Sequence, residues 1–196
     1  MDIVVRPATP DRFEDVTRIL APTKSGAEAC WCLYHRLSSS EFNRLRGAER
    51  PEHLRRLCER EHAPGLLAYR GAEPVGWCAL GPWADMGRLQ RSRTIPRIDE
   101  RHRWSIVCFV VRAAHRRQGV AAALLDGAVD YAREVGVGLL EGYPVEPGGE
   151  RLSSSFAYVG TTTMFEAAGF HRVEETSARS GGRPRWVMRL EPTHAR

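Results

Sequence analysis

The residues best suited to bind a charged ligand lie between a strongly apolar run and a long amphipathic run. The segment reads Arg112-Ala113-Ala114-His115-Arg116-Arg117-Gln118-Gly119-Val120-Ala121-Ala122. If a helix begins near Gly119, its first N–H groups have no partner inside the helix, and the helix dipole places partial positive charge there. Gly119 permits close approach to the backbone, and Arg112, Arg116 and Arg117 add charge. The segment therefore predicts a site for a pyrophosphate or another phosphate-bearing ligand.

Two common phosphate-binding motifs do not occur in this chain. No G-x-x-x-x-G-K-[ST] sequence is present, and the only lysine, Lys24, is far from the basic segment. No G-x-G-x-x-G follows a strand pattern either. These observations exclude a P-loop and argue against a dinucleotide-binding fold. A basic turn that merely caps a core helix remains the structural alternative.

The elements around the basic segment form a strand–helix–strand unit. The continuous apolar run 105–111 predicts a central strand covered on both faces. Apolar residues then recur at helical spacing from Val120 to about Glu134, and 137–143 predicts the next strand.

Similar patterns predict the other elements of a mixed α/β fold. The expected strands are 3–6, 66–69, 75–80, 170–173 and 184–190, and the expected helices are 10–20, 40–60 in one or two pieces, and 158–168. A polar loop covers 81–103 and another covers 145–155. We expect six or seven strands flanked by about four helices.

Composition limits the class of protein. The chain has 196 residues, of which 42% are hydrophobic and 27% charged, so we expect one globular domain spanning 1–196. No apolar run approaches the ~18 residues of a membrane span, and no basic region precedes an apolar stretch at the start. The five cysteines are an odd number, which favours reduced thiols. We therefore expect a cytoplasmic protein. The net charge of +5 without a long basic block does not favour nucleic-acid binding.

Four segments carry a resemblance to the GNAT family of acyl-CoA-dependent N-acetyltransferases. Arg116-Arg117-Gln118-Gly119-Val120-Ala121 matches the family's R/Q-x-x-G-x-G/A signature, and 3–9 looks like its opening strand and turn. The segment 73–77 looks like its hairpin before the third strand, and 164–170 is similar to its L-Y-E-x-x-G-F segment. The resemblance implies a single-domain GNAT fold with acetyl-CoA as the acyl donor and no metal.

The resemblance also implies how coenzyme A is held. The strand ending at Val111 and the strand near 139–143 should splay apart, with the pantetheine arm in the gap. The residues expected to bind the cofactor are Phe109, Val110, Val111, Arg116, Arg117, Gln118, Gly119, Val120, Ala121, Ala122 and Phe165. The pyrophosphate is expected on the N–H groups of 117–122.

The chain departs from the family at both usual catalytic positions. Ser105 stands where many members carry a glutamate base, and Phe165 stands where many carry a tyrosine acid. Neither can replace the missing group unaided. We therefore expect Glu141 to act as the base through water and Tyr158 as the acid, with Ser105 beside them. Asp99, Glu100 and His102 are further candidates.

The segment 30–35, Cys-Trp-Cys-Leu-Tyr-His, occupies a region that helps form the acceptor pocket in the family. The expected acceptor-binding residues are Trp31, Tyr34, Trp77, Trp83 and Tyr143. A metal site is an alternative, built from Cys30, Cys32 and His35 with Cys58 and His62. Plain packing is the third reading. The arginines from Arg88 to Arg103 can instead receive a carboxylate or phosphate of the acceptor, or form a solvated flap.

These features together predict acetyl transfer from acetyl-CoA to a primary amine on a small molecule. A protein or aminoacyl-tRNA acceptor is one alternative, and a non-catalytic acyl-CoA-binding module is another. Because relatives are often dimers, the resemblance also allows a homodimer.

Overall fold

The fold is organised around one mixed sheet. The structure is a computed structural model that describes residues 2–24, 27–148 and 157–192. The strands are β1 (Ile3–Pro7), β2 (Gly65–Arg70), β3 (Glu73–Pro82), β4 (Trp104–Val111), β5 (Leu140–Gly142), β6 (His171–Ser180) and β7 (Arg183–Leu190). Their order across the sheet is β1-β2-β3-β4-β5-β7-β6. Among the neighbouring strand pairs of this sheet within the described residues, β4 and β5 alone are parallel.

Helices cover both faces of this sheet. They are α1 (Phe13–Leu20), α2 (Ser39–Arg44), α3 (Glu49–Cys58), α4 (Gly87–Gln90), α5 (Val120–Glu134) and α6 (Thr162–Ala167). These six helices of the described residues exceed the four expected. The predicted 40–60 helix is divided into α2 and α3, and α4 forms inside the long loop. Ser38 starts α2 with a reciprocal capping box to Glu41.

Two apolar layers hold the helices to the sheet. Phe13, Val16, Leu54, Leu57 and Trp77 belong to the layer beneath α1 and α3. Leu124, Leu125, Ala128, Phe165 and Met188 belong to the layer beneath α5 and α6. We call the first side the α1 face and the second the α5 face. No helix in the described ranges has the length and apolar character that a membrane span requires.

Three elements differ most from their predicted bounds. β5 pairs over three residues only, because Tyr143 and Pro144 already leave the ladder. β6 has ten residues where four were expected, since its polar residues pair with β7 in a long hairpin. The predicted helix 158–168 is a 3-10 turn at Ala157–Val159 followed by α6. Residues 149–155 of the predicted 145–155 loop lie outside the described residues.

The parallel pair β4–β5 splays as the resemblance implied. The register runs from Trp104↔Leu140 to Ile106↔Gly142 and then stops, while β4 continues to Val111. Beyond Gly142 the chain pairs differently, because Val145 bridges to Thr161 and Arg185. Gly142 packs directly on Phe165, whose ring a Cβ at this position would overlap. Half of β4 therefore has an edge that β5 does not cover.

Candidate cofactor and acceptor site

The turn before α5 presents a row of backbone donors. Arg117 and Gly119 have φ values of +60° and +80°, and Gly119 is the N-cap residue of α5 without a capping side chain. The N–H groups of 117–122 have no backbone acceptor within the described chain, where the first bond is Ala123 N–H to Gly119 O at 2.9 Å. A Cβ at Gly119 would meet open space. An anion can therefore approach these amides directly.

The free edge of β4 leads to this turn. Arg112 donates its N–H to Val75 O on β3 at 3.0 Å. Since hydrogen-bond directions alternate along a strand, the main-chain groups of Phe109 and Val111 face the opposite edge. The Arg116 Nε donates to Val111 O at 3.2 Å, which agrees with that direction. The splay thus exposes polar backbone that an extended, amide-containing ligand can pair with, and the side chain of Val110 lies on β4 between these groups.

Aromatic rings support this edge from the α5 face. The rings of Phe109 and Phe165 meet edge to face at 6.2 Å, and Phe165 meets Phe170 at 4.9 Å. Gly160 lies against Phe109 and Phe165. Phe165 is completely buried, so it has no surface left for the cofactor arm that was expected to contact it. Its role here is to pack behind the cleft.

A buried polar cluster occupies the paired end of β4 and β5. We use this name for Asp99, Arg103, Ser105, Glu141, Tyr143 and Arg189. The Glu141 carboxylate accepts from Arg103 Nε at 3.0 Å and from Arg189 Nε at 2.7 Å. It also accepts the Tyr143 hydroxyl at 2.7 Å. Ser105 and Tyr143 share a hydrogen bond of 3.0 Å, and Arg189 binds Asp99 through two bonds of 2.6 and 3.2 Å.

This cluster argues against the expected role of Glu141. Both carboxylate oxygens already accept hydrogen bonds from buried groups, and the residue is almost completely buried. A water-mediated base needs an accessible oxygen, and Glu141 offers none. Ser105 and Tyr143 are buried with it, which leaves no surface for the predicted contacts with a substrate. Burial is the main cause that raises the pKa of Tyr143, followed by the Glu141 charge.

The opposite end of the α1 face, where β4 and β5 diverge, has a different set of side chains. We call this region the open end and define it by Tyr34, His35, Cys108, Tyr158 and Arg185. Burial raises the pKa of Tyr158, and the Arg185 charge opposes that shift. Deprotonation of Cys108, Tyr34 or Cys30 would raise this pKa further, which places these groups near Tyr158. The raised pKa keeps the Tyr158 hydroxyl protonated near neutral pH, as a proton donor requires.

His35 is held neutral at the open end. Burial lowers its pKa to about 4, and the charges of Arg185 and Arg88 add to the effect. Arg88 also stacks over the Tyr34 ring at 4.0 Å. The open end therefore carries cationic guanidinium groups around a neutral imidazole.

The predicted acceptor residues fall in different environments. Tyr34 is 44% exposed and belongs to the open end, whereas Trp31 is buried and Trp77 is completely buried in the core. Trp83 stacks with Arg103 at 4.2 Å and with Arg97 at 5.0 Å. Trp77 therefore has no surface for an acceptor, and Trp83 serves the buried polar cluster. Trp31 and Cys32 both have positive φ, which the sequence did not signal.

The cysteines are all free thiols, as expected. Cys32 Sγ and Cys108 Sγ lie 3.6 Å apart, which joins the 30–35 segment to β4. Among the residues that the structure describes, no three His, Cys, Asp or Glu side chains converge as metal ligands. The metal reading of Cys30, Cys32, His35, Cys58 and His62 therefore has no geometric support here.

The long loop is tied down rather than free. Gly87 N–H donates to Arg36 O at 3.0 Å, and Arg88 N–H donates to His35 O at 3.1 Å. Ala178 N–H on β6 donates to Thr94 O at 3.2 Å. These bonds close the α1 face on the side of the acceptor segment.

Sequence reasoning missed the roles of three arginines that shape this face, although it had named Arg103 in the long loop. Arg103 and Arg189 hold Glu141, and Arg185 lies at the open end. A signal existed for two of them, because Arg185 and Arg189 share the face of β7 that also carries the buried Val187.

Comparison with known proteins identifies a family and a fold. The sequence model of the Acetyltransferase (GNAT) family matches residues 31–144. No curated protein matches the sequence significantly.

Three solved structures illustrate the similarity of fold. The mosquito arylalkylamine N-acetyltransferase-like 5b is 13% identical over 97% of this chain and 100% of its own, with a TM-score of 0.58. The yncA protein of Salmonella typhimurium, solved with its cofactor acetyl-CoA, is 13% identical over 98% and 95%, with a TM-score of 0.56. A chain of the NatC complex bound to Gag peptide and CoA is 15% identical over 97% and 99%, with a TM-score of 0.53.

Proposed function

The chain belongs to the GNAT acetyltransferase family and is an N-acetyltransferase, and we propose that it transfers the acetyl group of acetyl-CoA to the primary amine of a small molecule. We treat residues 1–196 as one catalytic domain. The observation that carries the proposal is the uncovered edge of β4 leading to the bare amides of 117–122. The similar yncA and NatC structures hold acetyl-CoA and CoA respectively.

The splay and the turn before α5 suit different parts of the cofactor. The outward main-chain groups of Phe109 and Val111 pair with the amides of the pantetheine arm, as an added strand would. The N–H groups of 117–122 bind the pyrophosphate, with the helix dipole favouring its charge. This arrangement directs the thioester along β4 towards the open end.

The reaction needs a neutral amine and a proton for the leaving sulfur. The acceptor amine loses a proton to water in the cleft, because its pKa of about 10 leaves it protonated in solution. Its nitrogen then attacks the thioester carbonyl carbon, the C–N bond forms and the C–S bond breaks. Tyr158 gives its proton to the departing sulfur, and the second amine proton returns through water to the Tyr158 phenolate, so that one net proton is released per turnover. The products are the N-acetyl amine and CoA thiol.

A small acceptor is supported by the closure of the α1 face. The bonds from Gly87 and Arg88 to the segment 35–36 and the bond from Ala178 to Thr94 hold the long loop against the α1 face. This closure favours a small acceptor over an extended peptide, which needs an open groove. Peptide acceptors and an inactive acyl-CoA-binding role are the competing functions. The second rests on the serine at 105 and the phenylalanine at 165, which replace the usual catalytic pair.

The experiment has a matched pair of variants. Gly119 and Gly136 lie at opposite ends of α5 with φ of +80° and +74°, and a Cβ at either meets open space. Gly119→Asp and Gly136→Asp therefore add the same side chain at similar backbone cost. We expect Gly119→Asp to weaken CoA binding by at least about tenfold in calorimetry, because its carboxylate repels the pyrophosphate. Gly136→Asp should bind normally, and equal affinities would reject this cofactor site.

Activity is then measured as thiol release from acetyl-CoA with panels of small amines and peptides. Release with small amines supports the proposal. Thiol release with peptides alone would show that the acceptor is a protein rather than a small molecule. CoA binding without release from any amine leaves only the binding module.

A further inference from the structure

Arg185 is a buried cation with one satisfied nitrogen. It is 6% exposed and lies on β7 on the α1 face. Its Nε donates to Tyr143 O at 2.9 Å, and its Nη2 has no hydrogen-bond partner in the part of the chain that the structure describes. A guanidinium has five N–H donors in a planar fork, so most of its binding capacity is unused.

No described carboxylate compensates the Arg185 charge. The groups that favour its charged form are the hydroxyls of Tyr158 and Tyr143, and burial lowers its pKa. Arg185 and Arg88 are the two charged groups that lower the pKa of His35, and both are cations. A buried charge without a partner is costly, so a ligand that brings a counter-charge to Arg185 gains binding energy by relieving that cost.

We propose that Arg185 binds a carboxylate of the acceptor, so that the substrate is an amine that carries a carboxylate group. This inference rests on the proposed acetyl transfer and narrows its substrate class. The free edge of the guanidinium, away from the Nε that Tyr143 occupies, fits the two oxygens of a carboxylate. The neutral His35 and the nearby Arg88 present no negative charge that would repel it.

The position of Arg185 links recognition to chemistry. Arg185 and Thr161 both bridge to Val145, which brings β7 next to the turn that carries Tyr158, the proposed proton donor, and the Arg185 charge acts on the pKa of Tyr158. A carboxylate held by Arg185 therefore places the rest of the acceptor beside the thioester. Chain length between carboxylate and amine then decides how well the nitrogen reaches the carbonyl carbon.

The test compares ω-amino acids of increasing chain length with their carboxamides. In the native enzyme we expect kcat/KM to be about 100-fold higher for the best acid than for its carboxamide, because the amide leaves the guanidinium unpaired. Arg185→Met should reduce that ratio to about 1 through a higher acceptor KM, with the KM of acetyl-CoA unchanged. Arg185→Lys keeps the charge without the fork and should give an intermediate ratio.

Arg179→Gln is the control, since Arg179 on β6 is tied to carbonyls of its own hairpin and to Glu175. It should leave the ratio as in the native enzyme. Loss of discrimination in Arg179→Gln to the same extent as in Arg185→Met would reject the assignment.

A binding experiment separates this inference from the proposed function. N-acetyl amino acids and their carboxamides are titrated into the CoA-loaded protein and into the CoA-loaded Arg185→Met variant. Acids that bind only when Arg185 is present support the inference, even if no amine releases thiol and the proposed activity fails. Turnover or binding that ignores the carboxylate overturns the inference while acetyl transfer stands. Absence of binding by every acid and amide also overturns it.

Discussion

Arg189 and Arg185 lie four residues apart on one face of β7, but their side chains differ in their hydrogen-bond partners. They are 5% and 6% exposed. Arg189 binds Glu141 at 2.7 Å and Asp99 at 2.6 and 3.2 Å. Arg185 has one bond to a backbone carbonyl and no carboxylate partner among the described residues. Burial alone therefore does not distinguish the two.

The difference follows the pairing of the sheet. Where β4 and β5 pair, the α1 face collects carboxylates and satisfies them within the buried polar cluster. Where the strands diverge, the same face carries arginines that have no carboxylate partner among the described residues. A buried charge with its partners in the same chain supports the fold, and one without them is available to a ligand. Four predictions test this comparison.

The largest effect is expected when the cluster loses a cation. Arg189→Met leaves Glu141 and Asp99 without their shared partner, and we expect the free energy of unfolding to fall by about 3–5 kcal/mol. Urea denaturation followed by circular dichroism measures the change. Arg101→Met removes an exposed pair with Glu191 and should cost less than about 1 kcal/mol. Equal costs for the two variants would contradict a structural role for the cluster.

The next effect concerns catalysis at the open end. Tyr158→Phe removes the proposed proton donor, and we expect kcat to fall by about 100-fold with acetyl-CoA binding retained. Steady-state kinetics and CoA calorimetry give the two quantities. Tyr131→Phe is the control, because its hydroxyl accepts the Ala63 N–H far from the cleft. A Tyr158→Phe enzyme with native kcat would assign the proton to water instead.

A smaller effect on stability is expected when the arginine at position 185 is replaced by methionine. Arg185→Met removes a buried charge that lacks a partner, so the free energy of unfolding should stay within about 1 kcal/mol of the native value or rise. The variant is compared with Arg189→Met in one urea series. A loss as large as that of Arg189→Met would remove the distinction between the two ends.

The smallest effects are changes in how steeply the free energy of unfolding depends on pH, and they occur in two separate pH ranges. Unfolded His35 titrates near 6.5, whereas the folded residue stays neutral down to about 4. The unfolded state therefore binds more protons, and stability falls as the pH is lowered from 6.5 to 4. Asp99 has its pKa lowered to about 2, chiefly by its hydrogen bond to Arg189. Its contribution is present above pH 3.8 and is lost as the pH falls towards 2.

His35→Gln should remove the upper slope and Asp99→Asn the lower one. Urea midpoints measured from pH 7 to pH 2 resolve both. Arg185→Met should reduce only the upper slope, because Arg185 is one cause of the His35 shift. A single slope shared by both variants would show that the two ends are not independent.

The parts of the fold that depend on local sequence were predictable. The apolar run of β4, the turn with Gly119 and the helical spacing of α5 sit close together in the chain, so their relation needed no distant contact. The same local signature placed the candidate cofactor turn. The capping box at Ser38 and Glu41 was also readable but was not used to divide the predicted 40–60 helix.

The environment of Glu141 was not predictable because its partners are distant in sequence. Glu141 was nominated for its place on the strand beside the expected splay, yet Arg103 and Arg189 reach it from 38 and 48 residues away. Arg185 was overlooked for the reverse reason. Arginines that alternate with apolar residues along a strand are typical of a solvent-facing side, whereas β7 lies between β5 and β6 and buries both Arg185 and Arg189.

The contact of Gly142 with the Phe165 ring has a mechanical meaning for the cleft. The last paired position of β5 rests on a ring that leans against Phe109, and the backbone of Phe109 faces the free edge of β4. A methyl group at position 142 would displace the rings of Phe165 and Phe109 and thereby move the free edge of β4. Gly142 thus sets the width of the gap between β4 and β5 although it lies outside the substrate-binding surface. Substitutions in the layer behind the gap can therefore change the activity of the enzyme without changing the residues that line the gap.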